Sequence, residues 1–277
     1  MIVYCDGEFL AEERAVISID DPGLLSGDGV FETALLHEGG FLRLRQHLER
    51  FAASARLMCI AAPPATDLDR IVRALVRRNA LRNANIRITL TRGVHRPSLF
   101  VTARPADAAR SERARAGWTL ITARTRRPSV RSIPAQLKTL GRTYALLARH
   151  EAAAAGADDA LLLNEDDLVC EGPTWNVFWR RDDALHTPAL DAGVLAGVTR
   201  AILLEVASEQ GLTVHEGSYQ RPALDDADEI FATMTSVGIV PIRSLDARSL
   251  PPASPAADAL RAAYQRRLAL ETASDPA

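Results

Sequence analysis

The sequence predicts a mixed α/β protein of the α+β kind, organised in two domains. Three observations carry this expectation. Short runs with period-two alternation recur along the chain, and turn signals such as Asp6-Gly7 and Gly39-Gly40 separate them, which marks hairpins. Between them lie segments whose apolar residues repeat at helical spacing. The two kinds of segment do not alternate strictly, which disfavours a doubly wound parallel sheet.

Taken in order, Ile2 to Cys5 and Glu8 to Leu10 flank Asp6-Gly7 as a hairpin, and 18–23 reads as a loop. Residues 30–35 alternate as a strand, and His37-Glu-Gly-Gly40 turns them back into Phe41-Leu42. Residues 45–58 place Leu48, Phe51, Ala55 and Met58 on one helical face, and 67–82 form a second amphipathic helix. Strands follow at 85–91 and 98–103. Residues 104–117 are rich in Ala, Arg and acid and read as the stretch that holds the linker between two domains. The expected division is therefore an N-terminal domain over 1–107, a linker over 108–117 and a C-terminal domain over 118–277. In the latter, 118–124 is a strand and 141–155 a helix ending at Gly156. A hairpin around Glu165-Asp-Asp167 joins 160–164 to 168–171, and 176–179 is a strand. A helix opens at Gly197 and runs to Gly211. Strands at 213–217, 230–235 and 239–242 follow, and a last helix covers 256–270.

The totals narrow the function. The formal net charge of −2 gives no general attraction to nucleic acid or membranes. The arginines between Arg104 and Arg131 lack aromatic interleaving and read as a solvated face. Cys5, Cys59 and Cys170 match neither a zinc spacing nor a disulfide framework, and the six histidines are scattered, so no metal site is expected. No signal peptide and no membrane-spanning run are visible, which points to a cytoplasmic protein.

Lys138 is the only lysine; the other basic residues among the 33 are arginines. Arginine can serve surface charge and carboxylate pairing. It cannot form a Schiff base, which needs a primary amine able to lose its proton. Around Lys138, landmarks recur in order: Gly27-Asp-Gly-Val-Phe-Glu32, Arg45-Gln-His-Leu-Glu-Arg50, Leu137-Lys-Thr-Leu140, Cys170-Glu-Gly172 with Asn176-Val-Phe178, Gly197-Val-Thr-Arg200, and Phe231-Ala-Thr-Met-Thr-Ser236. From about residue 2 to residue 246 the chain resembles the fold-type IV pyridoxal-phosphate enzymes. These include branched-chain and D-amino-acid aminotransferases, R-selective amine transaminases and aminodeoxychorismate lyase.

The resemblance implies two domains with pyridoxal 5'-phosphate at their interface, a homodimer, and Lys138 as the Schiff-base and proton-transfer residue. It implies that Glu171 pairs with the pyridine nitrogen, keeping the ring electron-withdrawing. Arg50, Val198, Thr199, Thr235 and Ser236 correspond to the phosphate ligands. The start of a helix at Gly197 suits that role independently, since it offers free N–H groups and a favourable dipole. For the substrate, the resemblance points to Phe31 and Arg87 on pocket-wall strands. Arg92, His95 and Arg96 form a cationic loop suited to a carboxylate.

Subclass signals divide. Asn85 stands where branched-chain enzymes carry Tyr, and Thr143 stands where they carry a Tyr five residues after the lysine, with Tyr144 one step on. A one-residue shift on a helix turns a side chain by about 100°. Lys138-Thr-Leu-Gly-Arg142 and Asn176-Val-Phe-Trp179 look more like the lyase. The expected activity is amino-acid and 2-oxo-acid transamination of branched-chain or D-amino-acid type by a ping-pong mechanism. The second reading is release of pyruvate and 4-aminobenzoate from 4-amino-4-deoxychorismate. A catalytically silent binding protein of the same fold is a third, against which Lys138 stands.

Overall fold

The computed structural model describes residues 1–251 and 255–277. Two compact units divide it: residues 1–106, 136–142 and 268–277 form the first, and residues 107–135 and 143–267 the second. The lysine segment and the C-terminal end thus count with the first unit, a division that no single cut near residue 108 produces.

In the first unit, β1 (Ile2–Cys5) and β2 (Glu8–Ala11) form the hairpin expected at Asp6-Gly7. Helix α1 (Pro22–Ser26) occupies part of the stretch read as loop; the Asp21 side chain caps it by accepting from the Gly23 N–H at 2.6 Å. Strand β3 (Gly29–His37) returns as β4 (Gly40–Leu42). Helices α2 (Leu44–Leu57) and α3 (Ala65–Arg78) follow, then β5 (Ala84–Thr91) and β6 (Ser98–Pro105). The six strands form an antiparallel sheet in the order β2-β1-β6-β5-β3-β4.

Alternation along β3 and β5 sorts their side chains between two faces. Val30, Ala34, Leu36, Ile86, Ile88 and Leu90 enter one core with Leu48, Phe51 and Ala55 of α2 and Leu68, Val72 and Leu75 of α3. Each of the larger side chains among them contributes about 1.5–3 kcal/mol on burial. By the register Phe31↔Thr89 and Thr33↔Arg87, these four residues share the opposite face.

In the second unit, α4 (Ala108–Ala116) forms where the sequence predicts a linker, and β7 (Trp118–Thr122) follows. Next come α5 (Thr143–Ala154), β8 (Asp159–Leu161), β9 (Asn176–Arg181) and β10 (Ala184–Pro188). Helix α6 (Val198–Glu209), β11 (Thr213–Gly217), β12 (Glu229–Met234), β13 (Gly238–Leu245) and β14 (Arg248–Ser249) complete the sheet region. Helix α7 (Pro255–Ser274) closes the chain. The sheet order is β11-β10-β9-β12-β13-β7-β8, with β14 on β13. It is mixed: β10/β11, β13/β7 and β7/β8 are parallel and the other pairs antiparallel.

Two differences from the sequence expectation have physical causes. The hairpin around 165–167 keeps ladder bonds, with the Cys170 N–H donating to Leu162 O at 3.0 Å and the Leu162 N–H to Glu171 O at 2.9 Å. Its first arm, however, is recruited as β8 beside β7 in parallel. Strand β10 lies outside the expectation, because Ala184-Leu-His-Thr-Pro188 carries only a short, weak alternation; pairing with β9 and β11 on both sides supplies what propensity lacks.

Candidate active site

The lysine segment is held beside β3 at the end that β4 does not reach. The Phe31 N–H donates to Lys138 O at 3.0 Å and the Leu140 N–H to Gly29 O at 2.9 Å, and Val30 bridges Thr139. The close approach needs two glycines. Gly27 has φ +72°, and a Cβ there would lie 2.8 Å from the Gly141 Cα. The bridge sets Lys138 opposite Phe31, so both side chains take the sheet face turned away from α2 and α3. The Lys138 Nζ lies 4.9 Å from the centre of the Phe31 ring. Helix α2 supports the segment from below: Ser54 Oγ accepts from the Lys138 N–H at 3.2 Å and donates to Gln136 O at 3.3 Å.

One α2 face carries His47, Arg50 and Ser54 at helical spacing. Arg50 grips Glu32 with two donors, Nε to Oε2 at 2.8 Å and Nη2 to Oε1 at 2.7 Å. His47 Nδ1 lies 3.1 Å from the same Oε1. Burial alone would raise the Glu32 pKa, but the Arg50 charge and the His47 hydrogen bond outweigh it and hold the carboxyl well below the usual range. An ionised carboxylate only accepts, so Nδ1 carries the proton. Burial lowers the His47 pKa and favours its neutral form. His47 Nε2 is buried with no hydrogen-bond partner.

Of the other residues singled out for substrate, Arg87 lies on the Lys138 face, with Cζ 4.0 Å from the Phe31 ring centre. Arg92 turns elsewhere. Its Nε donates to Asp28 at 2.6 Å and its Nη2 to Met58 O at 2.8 Å, which ties the loop to the end of α2. His95 and Arg96 are exposed in the loop between β5 and β6.

In the second unit Glu171 is buried and bridges Asn176. Its Oε1 accepts from Arg127 Nε at 3.0 Å; its Oε2 accepts from the Leu195 N–H at 2.9 Å and Asn176 Nδ2 at 3.2 Å. A carboxylate offers about four lone-pair sites, so one further donor can be accommodated. The Arg127 guanidinium in turn lies 5.1 Å from the Tyr144 ring centre. Arg127 is thus an exception to the solvated basic run: it is 4% exposed. Nothing in the sequence separates it from its exposed neighbours Arg124 and Arg126. Tyr144 stands out in the sequence beside Thr143, but only the fold shows which side chain it meets.

Gly197 caps α6 without a side-chain hydrogen bond. The first-turn N–H groups of a helix have no intrahelical partner. Val198 and Thr199 are buried there, and Thr199 Oγ1 has no hydrogen-bond partner. A buried hydroxyl without a partner beside first-turn N–H groups is what a phosphate group would complete, so these residues fit a phosphorylated cofactor. Thr235 and Ser236 are half-buried in the turn between β12 and β13.

The family model for amino-transferase class IV matches residues 29–245. The chain belongs to the class IV aminotransferases. It is 34% identical over 259 residues to a Methanocaldococcus jannaschii protein assigned as a branched-chain-amino-acid aminotransferase, covering 90% of this chain and 89% of that one. It is 30% identical to the D-alanine aminotransferase of Listeria monocytogenes, covering 89% and 88% of the two chains. The crystal structure of the T.th. branched-chain amino acid aminotransferase with pyridoxamine 5'-phosphate aligns with a TM-score of 0.92 at 30% identity, covering 98% of this chain and 94% of that one. As a class IV aminotransferase the chain is a pyridoxal-phosphate-dependent transaminase. No helix among the described residues is long and apolar enough to cross a membrane.

Proposed function

We propose that this class IV aminotransferase moves an amino group between amino acids and 2-oxo acids in a ping-pong cycle, with Lys138 as its covalent and proton-transferring residue. The observation that carries the reading is the placement of the chain's sole lysine on the face of the first sheet turned away from α2 and α3, pinned through its own backbone to β3 and α2. Pyridoxal phosphate supplies an aldehyde and an electron-withdrawing ring. Lys138 holds it and moves the proton at the substrate Cα. Glu171 pairs with the pyridine nitrogen, and Arg127 and the Leu195 N–H fix the carboxylate for that task. Arg50, Val198, Thr199, Thr235 and Ser236 hold the phosphate. Phe31 and Arg87 face the substrate, and His95 and Arg96 stand at a loop that admits its carboxylate, with Arg92 anchoring that loop through Asp28 and the Met58 carbonyl.

The functional unit in this reading is a homodimer in the cytoplasm. Val16, Ile17, Ile19, Leu24 and Leu25 lie close in sequence and are all exposed, an apolar surface suited to a second copy. The three cysteines are free thiols.

The test is spectroscopic. The protein with pyridoxal phosphate should show a lysine-dependent absorption band that an amino donor converts to that of the amine form, and a 2-oxo acid restores. The donor that works, L-branched, D-amino acid or primary amine, names the subclass. A band that no donor discharges would refute transamination. It would favour the second reading, release of pyruvate from 4-amino-4-deoxychorismate, to which Lys138-Thr-Leu-Gly-Arg142 is similar.

A further inference from the structure

A cleft of about 320 Å³ opens in the first unit where the β1–β2 turn, the segment between α2 and α3, and the β5–β6 loop meet. Its volume falls at the lower end of the range for small-molecule sites, about 300–1,000 Å³. Leu90 and Leu99 form the floor, and both belong to the core that α2 and α3 cover. The cleft therefore lies on the sheet face opposite Phe31, Arg87 and Lys138. Pro63 and Pro97 add apolar walls.

The charged groups of the lining have both signs and do not meet. Asp6 Oδ1 accepts from the Leu99 N–H at 2.6 Å, and the Asp6 N–H donates to Leu99 O at 2.9 Å, which staples the hairpin tip to β6. The second Asp6 oxygen is uncommitted. Arg96 makes no hydrogen bond or ion pair among the described residues, so the donors of its fork are free for a ligand. Tyr4 stands within the field of both charges. Burial first, and the Asp6 charge second, hold its phenol above the ordinary value of 10.0, so it keeps its proton. The Gly7 N–H hydrogen-bonds the phenol oxygen, which leaves the hydroxyl proton to donate.

We propose that this cleft is a second binding site, for a free amino acid with an apolar side chain. Asp6 takes the ammonium group, Arg96 and the Tyr4 hydroxyl take the carboxylate, and Leu90, Leu99 and the two prolines receive the side chain. A zwitterion answers both charges at once. A simple carboxylate would leave Asp6 facing a like charge, and a simple amine would do the same to Arg96. The site stands apart from the reaction, and the β5–β6 loop links the two. Arg96 held in the cleft is withdrawn from the substrate carboxylate, so an occupied cleft opposes substrate binding. That link rests on the role proposed above for the loop; the site itself does not.

The test is calorimetric titration of the protein loaded with pyridoxal phosphate and reduced with borohydride, so that added amines cannot exchange with Lys138. L-Norleucine is compared with hexanoate and pentylamine, which keep its chain and only one of its charged groups. Norleucine should bind at least about tenfold tighter than either, the size of one charge-assisted contact. Ala62→Trp, on the half-buried wall of the cleft, should abolish the binding. Asp6→Asn keeps an acceptor for the Leu99 N–H and should bring norleucine down to the level of hexanoate. Tyr4→Phe should weaken norleucine and hexanoate alike. Thermal midpoints show whether each variant is folded, and the Asp6 and Tyr4 variants carry the test if the tryptophan one is not. Absent norleucine binding, binding unchanged in folded Ala62→Trp, or hexanoate binding as tight as norleucine overturns the proposal. If Ala62→Trp instead lowers the sedimenting mass, a second copy covers the cleft and the proposal is wrong. The transaminase reading fails separately, on an absorption band that no amino acid discharges, and the Ala62→Trp comparison decides the cleft in either case.

Discussion

Glu32 and Arg50 form a two-point ion pair in which the carboxylate is wholly buried, with Nε–Oε2 at 2.8 Å and Nη2–Oε1 at 2.7 Å. The pair fixes the direction of the Arg50 guanidinium before any ligand arrives. Glu32→Ala strands the partly buried arginine and removes the acceptor of His47 and of the Thr33 N–H. Breaking a buried pair from one side costs about 3–5 kcal/mol. Urea unfolding of the variant should show a loss near the lower end, since Arg50 keeps some solvent contact. Affinity for pyridoxal phosphate should fall in the folded fraction. An unchanged midpoint would mean that water replaces the carboxylate at no cost.

His47 makes stability depend on pH in a defined direction. Burial holds its folded pKa below the ordinary 6.5. In the unfolded chain the imidazole takes a proton below that value, while in the folded chain it resists. The unfolded state then binds more protons, so stability is full above pH 6.5 and declines as the pH falls toward the folded value. Glu32 adds a second loss below its ordinary 4.5, where the unfolded carboxyl protonates first. Unfolding free energies measured on either side of the ordinary imidazole value, at about pH 7.5 and about pH 5.5, should differ less in His47→Gln than in the wild type. Equal slopes would remove His47 from this account.

Gly27 and Gly211 share a left-handed backbone, φ +72° and +71°, but not their surroundings. A Cβ at Gly211 meets nothing within 4 Å, so Gly211→Ala should cost only the conformational penalty of about 1–2 kcal/mol. At Gly27 it would meet the Gly141 backbone, so Gly27→Ala must also push the lysine segment away from α1. Thermal unfolding should therefore show the larger loss for Gly27→Ala, with a weakened cofactor band that Gly211→Ala leaves in place.

Much of the fold is legible in the sequence. The hairpin at Asp6-Gly7, the strands β3, β5 and β6, and the helices α2 and α6 follow from alternation, helical spacing and turn residues. Lys138 stood out because one amine among arginines is chemically distinct. Less legible was what a single residue gains from partners distant in sequence. Arg127 reads as one more surface arginine until the fold sets it on Glu171, 44 positions away. His47 and Glu32 look like helix and strand residues until α2 packs on β3. Helix α4 hides in a charged stretch because its sequence has little apolar face to announce it.

Arg127 and Glu171 give a further test. Both are nearly inaccessible, and each satisfies the other. Glu171→Ala leaves a buried guanidinium without its carboxylate and should destabilise the protein by about 3–5 kcal/mol, measured by chemical denaturation. Arg127→Met, which removes the charge but leaves Glu171 its Leu195 and Asn176 donors, should cost less. The reverse order would mean that Arg127, not Glu171, is the member that the surroundings hold.

The central claim is that Lys138 carries the cofactor. Borohydride reduction of the protein loaded with pyridoxal phosphate, followed by peptide mass spectrometry, tests it directly, because the only other primary amine in the sequence is the chain's N-terminal one. The account predicts one phosphopyridoxyl group per chain, on the peptide containing Lys138, and none on the folded Lys138→Ala variant. A label found on the N-terminal amine, or no label at saturating cofactor, would contradict it.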